Sequence, residues 1–534
     1  MNITPCMLLQ IQAINIEWWQ ILLAAIPVLL LIILMGFLKM AGDKSAVITL
    51  IVSVAIALFA CGLPLADTGL SVVYGFLKAI FPILIIIIMA IFSYNVLVHT
   101  GKMEIIKEQF LSISSDKCIQ VLLLTWGFGG LLEGMAGFGT AVAIPAAILI
   151  SLGFKPVFSA VASLIANSVA TGFGAVGTPV KVLAEQAGVQ DIQTLSTQVV
   201  LQLSPLMILI PFVLVFMTDS RIKAIPKHIL ISLIVGSVSL ATQYLAARYM
   251  GAETPAILGS ITSIIAIVIY AKVTATKEDK DLKATFSKHS TAEVIKAWSV
   301  YGLILLLVIL TSPLLPLRAV LAPVLSSTFS FNIFDVASNT DVLRSVKISW
   351  LIDAGVILFI GSILGGLIQG ANLKALFKVL GRVLIQQKKT IITVCSLIAI
   401  SSVMDFSGMI ATLGITLAFA TGSLYPLFAP TIGCLGTFLT GSDTSSNILF
   451  GKLQASVAAT TGADPSWLAA ANTAGATGGK IISPQSIAVA TSACGQQGKE
   501  GEIMKKAIPF ALGYVVIAGL MVYFVPKIMG SLLF

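Results

Sequence analysis

A chain of 534 residues that is 57% hydrophobic and only 10% charged carries less than half the roughly 25% charge of an ordinary soluble domain. That is more apolar surface than a soluble core needs, and it predicts a polytopic membrane protein. The net charge of +9 comes from basic residues set between apolar runs, where they orient helices, so nucleic acid is not an expected partner.

In chain order, the start MNITPCMLLQIQAINIEWWQ lacks the basic opening of a cleaved signal peptide. The first apolar run, 19–38, is expected to act as the insertion signal, with Trp18 and Trp19 at the lipid boundary. Runs 45–62, 79–98, 197–217, 229–248, 255–272, 297–315, 349–369 and 507–525 are also long enough to cross ~30 Å of hydrocarbon at ~1.5 Å per residue. The stretches 102–117 and 372–389 alternate basic and apolar residues and read as amphipathic surface helices, the second more clearly. The segment KVTATKEDKDLKATFSKHSTAEVIK (272–296) is the one long charged connector. It is expected to be a cytoplasmic linker between a first half, 1–271, and a second half, 297–534. Charge placement puts the N-terminus outside and the basic loops 221–227, 272–296, 374–389 and 498–506 inside.

Two regions break the pattern. In 119–182 and 390–495, glycine, serine, threonine, asparagine and proline interrupt apolar sequence throughout. Unpaired backbone cannot face lipid, so broken helices or re-entrant hairpins are expected there. The predicted fold is an all-α membrane protein of about 12–14 crossings or part-crossings. The regions also resemble each other. Asn167 opens NSVATGFGAVGTPVK and Asn472 opens NTAGATGGKIISPQS; each asparagine lies twelve residues before a proline, Pro179 or Pro484, that follows a hydroxyl residue, Thr178 or Ser483. Upstream, LLEGMAGFGT and LTGSDTSSN each supply an acid. A duplicated broken-helix unit points to a transporter site near mid-membrane. Inverted halves would place 102–117 and 372–389 on opposite faces, whereas their charges place both inside.

A broken helix exposes N–H groups at one end and C=O groups at the other, and its positive N-terminal end attracts anions. Glycine admits a ligand to the backbone, and hydroxyl and amide side chains can turn donors toward a carboxylate. The candidate substrate-binding residues are therefore Gly137, Gly139, Thr140, Asn167 and Thr178 in the first region. In the second they are Thr444, Ser445, Ser446, Asn447, Asn472, Thr473, Lys480 and Ser483. Such a site suits a small organic anion. Acids within membrane segments are functional candidates, so Glu133, Asp443 and Asp405 are the candidate proton carriers; helix capping is the alternative role. Asp353 is expected near the interface. Lys480 would pair with the substrate or an acid, or snorkel to the interface. The histidines His99, His228 and His289 sit at span ends or in the charged loop and make poor relays. Six cysteines without a CxxC pair predict neither disulfides, metal nor cofactor. No HExxH, nucleophile elbow with a suitable histidine, or phosphate-binding loop occurs, which argues against an enzyme or ATP-driven pump.

The stretches GFGGLLEGMAGFGTAVAIPAAILISLGFKPVFSAVASLIANSVATGFGAVGTPV, GSDTSSNILFGKLQ and AANTAGATGGKIISPQSIAVA closely resemble the L-lactate permease family, and the likeness runs over almost the whole chain. The resemblance implies a multi-pass symporter of the bacterial inner membrane that imports lactate, in some members glycolate, together with protons. It also implies distant kinship with the ion transporter superfamily, in which paired hairpins belong to a transport domain moving against a scaffold. The motif positions that carry over include Glu133, Gly134, Gly137, Gly139, Thr140, Asn167, Thr178, Pro179, Asp443–Asn447, Asn472, Thr473, Lys480 and Ser483–Gln485. Two other readings stay open: a Na⁺-coupled carboxylate carrier using the SDTSSN tip, and a passive anion channel.

Overall fold

Long apolar helices account for most of the chain, as the composition requires. The computed structural model describes residues 16–38, 40–137, 139–275, 289–312, 315–496 and 499–533. The extreme N-terminus and most of the 272–296 linker lie outside these residues. Among the described residues, eleven helices are long and apolar enough to cross a membrane, or twelve if the bent pair Pro156–Thr171 and Gly174–Ala187 is one span.

Three expected spans change their bounds. The run at 79–98 belongs to helix that begins at Leu65 and continues to His99, interrupted at Phe81 (φ −119°, ψ 116°). Phe81 precedes Pro82, and a residue before proline is pushed out of helical geometry. The run at 349–369 is not a full crossing. Its first residue ends an antiparallel hairpin, β1 (Ser326–Asp335) and β2 (Thr340–Ser349). The helix that follows, Ala354–Ile368, has only 15 residues, and Asp353 caps it by accepting from Gly355 N at 2.9 Å. The hairpin has a readable cause: STFSFNIFD and TDVLRSVKIS alternate polar and apolar residues with period two, and Asn339 in the turn takes φ 53°, a left-handed value that asparagine tolerates. The third, 507–525, lies inside the longer helix Glu500–Leu533.

Both expected amphipathic helices form, at Lys102–Leu111 and Leu373–Gln386. The second buries Leu376, Val379 and Val383 and packs against Ile85–His99.

Each interrupted region contains a helical hairpin followed by a broken helix, and in the second the continuous helix Lys388–Phe406 precedes the hairpin. In the first, the helical stretch Lys117–Met135 stops, and Thr140–Ser151 runs back beside it. Lys117 Nζ donates to Leu152 O at 2.6 Å and closes the open end. The broken helix Pro156–Thr171 and Gly174–Ala187 then bends by 50°. In the second, Tyr425–Thr440 and Asp443–Thr461 pair: Ser446 Oγ donates to Gly433 O at 2.8 Å, and Tyr425 OH to Gln454 Oε1 at 2.8 Å. Pro465–Lys480 and Pro484–Ala493 follow.

Helix Ile192–Thr218 relates the two hairpins. Cys118, at the open end of the first, lies 3.8 Å from Val215 O. Asp464, just past the open end of the second, lies 3.5 Å from Gln198. The two contacts are about 25 Å apart along that helix, so the hairpins open at opposite ends of it. Their packing is reciprocal. Gly174–Ala187 packs on Asp443–Thr461, and Pro484–Ala493 packs on Thr140–Ser151; Ile192–Thr218 packs on Pro465–Lys480, and Glu500–Leu533 on Pro156–Thr171. The amphipathic helices do not share this inversion. His99, beside the first, lines one cavity with Val379, Arg382 and Gln386 of the second, so both lie at the same end, as their charges indicate.

Small residues let these helices touch backbone to backbone. A Cβ at Gly475 would lie 1.6 Å from Pro430 O, and one at Gly479 would lie 2.3 Å from Cys434 O. Close approach of this kind is how helices bind each other where burial alone offers no driving force. Gly513 has open space around it. Gly475→Ala should therefore lower the thermal unfolding temperature in detergent, by the equivalent of about 1–3 kcal/mol. Gly513→Ala should leave it unchanged or raise it slightly through helix propensity.

Candidate functional site

Four chain breaks meet in the interior. The first follows Glu133, near the end of Gly129–Met135, where Gly137 (φ 61°) and Gly139 (φ 87°) turn the chain. The second is the stretch after Thr171, where Ala175, Val176 and Gly177 hold φ values of 43°, 56° and 72°. Left-handed geometry costs roughly 1–2 kcal/mol at each non-glycine residue, and Val176 is β-branched, so this break stores strain. The third is at Gly441 (φ 72°), two residues before Asp443 begins a helix capped by Ser442. The fourth follows Lys480, the last residue of its helix.

The charged side chains at these breaks lie within electrostatic range of one another. Lys480 is near both Glu133 and Asp443 without forming an ion pair with either, and Asp443 is near Glu133. Lys480 Nζ donates to Gly441 O at 2.9 Å, at the tip of the second hairpin. Asp443 accepts from Thr437 Oγ1 at 3.2 Å and has Thr171 beside it. It also occupies the first turn of a helix, where the dipole favours negative charge. Gly174 makes room for Glu133, since a Cβ there would lie 2.6 Å from Oε1.

The two acids and the nearby Asn167 are buried, with Glu133 4%, Asp443 3% and Asn167 1% exposed, while Lys480 is part-buried. Glu133 Oε2, Asp443 Oδ2 and both side-chain polar atoms of Asn167 have no hydrogen-bond partner. The Asn167 amide lies beside the Glu133 carboxyl without forming a well-aligned bond. Buried polar atoms are nearly always paired, so four unpaired ones in one place mark a position suited to a polar ligand.

The other candidates from sequence divide into two groups. Asn447, Asn472, Thr473 and Ser446 satisfy each other. Asn447 Nδ2 donates to Thr473 Oγ1 at 2.8 Å and to Pro179 O at 2.9 Å, Asn472 Nδ2 donates to Asn447 Oδ1 at 2.9 Å, and Gln454 Nε2 donates to Asn472 Oδ1 at 3.3 Å. This network ties the second hairpin to the broken helix of the first half. Thr178 Oγ1 donates to Ala175 O, Thr140 Oγ1 to Gly137 O, and Ser483 caps its helix through Ser486 N; these hydroxyls shape the breaks. Thr444 and Ser445 are buried in the first turn after Asp443, and Gly139 faces Val489. Asp405 is not brought to the cluster: it pairs with Lys452 at 3.5 Å in a partly exposed position. Asp353 serves as a helix cap.

Sequence reasoning missed Thr171 and Thr437, the two hydroxyls beside Asp443. Their signal was faint: a lone threonine just upstream of a glycine break.

Comparison with known proteins identifies the family. The family described as L-lactate permease matches residues 20–529. The L-lactate permease of Streptococcus iniae is 39% identical over 452 residues, covering 85% of this chain and 94% of that protein. The glycolate permease GlcA of Escherichia coli K12 is 35% identical over 531 residues, covering 93% and 94%. The YdaH transporter of Alcanivorax borkumensis superposes with a TM-score of 0.47 at 15% identity, covering 87% of this chain and 88% of that one. The chain belongs to the L-lactate permease family and is a multi-pass transport protein of the bacterial inner membrane.

Proposed function

We propose that the protein is a proton-coupled symporter that imports small 2-hydroxymonocarboxylates, L-lactate first, with D-lactate or glycolate as further substrates. The observation that carries this reading is the pair of buried acids, with a part-buried lysine nearby and four unpartnered polar atoms, at the meeting of four breaks. The names of the relatives supply the substrate class: lactate and glycolate share a carboxylate and a 2-hydroxyl.

Charge counting supports proton coupling. With both acids ionised, Glu133, Asp443 and Lys480 sum to −1, which is costly in a dry interior. One proton makes the empty cluster neutral. A bound monocarboxylate adds −1, and a second proton restores neutrality. The two neutral forms differ by one anion and one proton. Cys434 and Tyr514 also face Asp443, but thiols and phenols are ordinarily neutral at pH 7 and leave the count unchanged. In the loaded form Lys480 and the Asn167 amide would meet the carboxylate and 2-hydroxyl.

The inverted, reciprocal packing supports an internal duplication with halves at 1–271 and 297–534 joined by the 272–296 linker. The transport unit would comprise the two hairpins and two broken helices, with the remaining spans as scaffold.

In proteoliposomes, an inward proton gradient should drive L-lactate above equilibrium, and a protonophore should abolish that accumulation. Uptake should ignore a membrane potential set with valinomycin and K⁺, because the cycle is electroneutral. Loss of uptake on replacing Na⁺ with K⁺ at constant pH would favour a sodium carrier instead; uptake that never exceeds electrochemical equilibrium would favour a channel. Counterflow with a panel of hydroxy acids ranks the substrates.

Glu133→Gln should abolish gradient-driven uptake while exchange of preloaded lactate partly survives. Equal loss of both would assign Glu133 to substrate binding or folding, and undiminished driven uptake would remove it from the mechanism. Gly174→Ala, which displaces the Glu133 carboxyl without touching its charge, should weaken driven uptake in a protein that still folds.

A further inference from the structure

We infer that a buried polar row on helix Pro156–Thr171, centred on Ser163 and Asn167, is the route by which a proton leaves Glu133 toward the end of the molecule where the first hairpin opens. This rests on the reading above that Glu133 carries the proton, and it gives Ser163 a relay role and Asn167 a water-holding role.

The helix sequence supplies the row. Ser159, Ser163, Asn167 and Thr171 recur at every fourth residue, and residues i and i+4 share a helix face. They span ~18 Å, and all four are buried. Apart from Ser168, the residues between them are alanine, valine, leucine and isoleucine.

Hydrogen bonding singles out the middle of the row. A helical serine or threonine often turns its hydroxyl back to a carbonyl one turn earlier. Ser159 Oγ donates to Lys155 O at 3.1 Å, Ser168 Oγ to Ile165 O at 2.7 Å and Thr171 Oγ1 to Ser168 O at 2.6 Å. Ser163 Oγ and both polar side-chain atoms of Asn167 have no partner. Polar atoms buried in this way are ordinarily completed by water. The rise between the two residues is ~6 Å, a gap that one bridging water covers.

The row also leads from the acid to the surface. Lys117 Nζ donates to Leu152 O, so Lys117–Met135 and Pro156–Thr171 both start at the open end of the first hairpin and run the same way. Side chains lean toward the N-terminus of their helix, so Glu133 leans back toward that end. Gly130, one turn before Glu133, packs on Ala170, one turn after Asn167; a Cβ at Gly130 would lie 3.9 Å from the Ala170 Cβ. The Glu133 carboxyl therefore reaches the level of the Asn167 amide beside it, and its Oε2 is open. Lys480 and Asp443 are the charged groups near this acid. At the far end Ser159 is tied to Lys155, which is exposed, and charge placement puts that end in the cytoplasm.

The transfer conserves atoms. The Glu133 O–H bond breaks as its proton passes to a water oxygen held by the Asn167 amide. That water gives up one of its own protons, and Ser163 Oγ accepts a proton as it releases the one it held. One proton enters bulk water at the mouth, and a carboxylate is left behind. The amide orients water and carries no proton itself.

The test compares Ser163→Val, which removes the hydroxyl and fills its space, with Ser163→Thr, which keeps it. Gradient-driven lactate uptake in proteoliposomes requires the proton to leave Glu133, whereas exchange of preloaded lactate does not. Ser163→Val should slow driven uptake about tenfold or more, a modest share of what positioned proton transfer supplies, and leave exchange near the wild-type rate. Ser163→Thr should keep both. Undiminished driven uptake in Ser163→Val overturns the proposal, and so does equal loss of uptake and exchange in a protein that unfolds at the wild-type temperature. If Ser163→Val does not fold, Ser163→Ala should show the same split, and its absence there is equally decisive. A wild type without proton-driven uptake would refute the proposed function and this route with it. A wild type that accumulates lactate no better than Ser163→Val does would refute the route alone.

Discussion

A helix that stops inside a bilayer leaves amide hydrogens and carbonyls without partners, and lipid offers none. Everything distinctive here follows from that constraint. Among the described residues, four such stops at the candidate site are turned toward one another in the interior. Each break is thereby both a liability and a source of polar groups. At the tip of the second hairpin one orphan carbonyl, Gly441 O, is taken by Lys480. At the second break the chain accepts three consecutive left-handed residues, two of them not glycine.

The polar residues near the breaks do two kinds of work, and the hydrogen bonds separate them. Asn447, Asn472, Thr473 and Gln454 complete each other's bonding and reach Pro179 O across the halves. A fully satisfied buried network rigidifies what it joins. It ties the second hairpin to the helix Gly174–Ala187 at Pro179, two residues past the strained break. Glu133, Asp443 and Asn167 keep unsatisfied atoms instead. Rigid support beside unsatisfied groups is the arrangement expected where a ligand completes the bonding, since the framework keeps the open positions from collapsing onto each other.

Much of this was legible in the sequence, for physical reasons that also explain what was not. Lipid demands long apolar runs, so the continuous spans are visible, and it forbids bare backbone, so the glycine- and hydroxyl-rich interruptions stand out. Glu133, Asp443 and Lys480 could be named because charge is conspicuous in apolar surroundings. The roles of Asn447 and Asn472 were hidden, because an asparagine that binds a ligand and one that binds its neighbour look alike until the partners are known. Asp405 shows the same limit for charge, since its partner Lys452 lies far along the chain and meets it only in the fold. The hairpin β1–β2 was overlooked because its alternation is short and adjoins a strongly apolar helix. The break at Phe81 could have been read from Pro82.

The inverted packing bears on how such a site could open. Thr140–Ser151 of the first hairpin is covered by Pro484–Ala493 of the second half, and Asp443–Thr461 of the second hairpin by Gly174–Ala187 of the first. The hairpins open at opposite ends of Ile192–Thr218, so withdrawing either one exposes the cluster toward one side only. The charges respond differently to the two motions. Lys480 and Asp443 both belong to the second half, and Glu133 belongs to the first. Moving the first hairpin separates Glu133 from its cation, while moving the second hairpin's tip separates Asp443 and Gly441 O from theirs. In the proposed reading each motion would carry one carboxylate further from the nearby cation, and a poorly solvated carboxylate without a nearby cation favours its neutral form. Under the proposed proton coupling, two acids near one lysine, contributed from both hairpins, would link the uptake of a proton to the side on which the site opens.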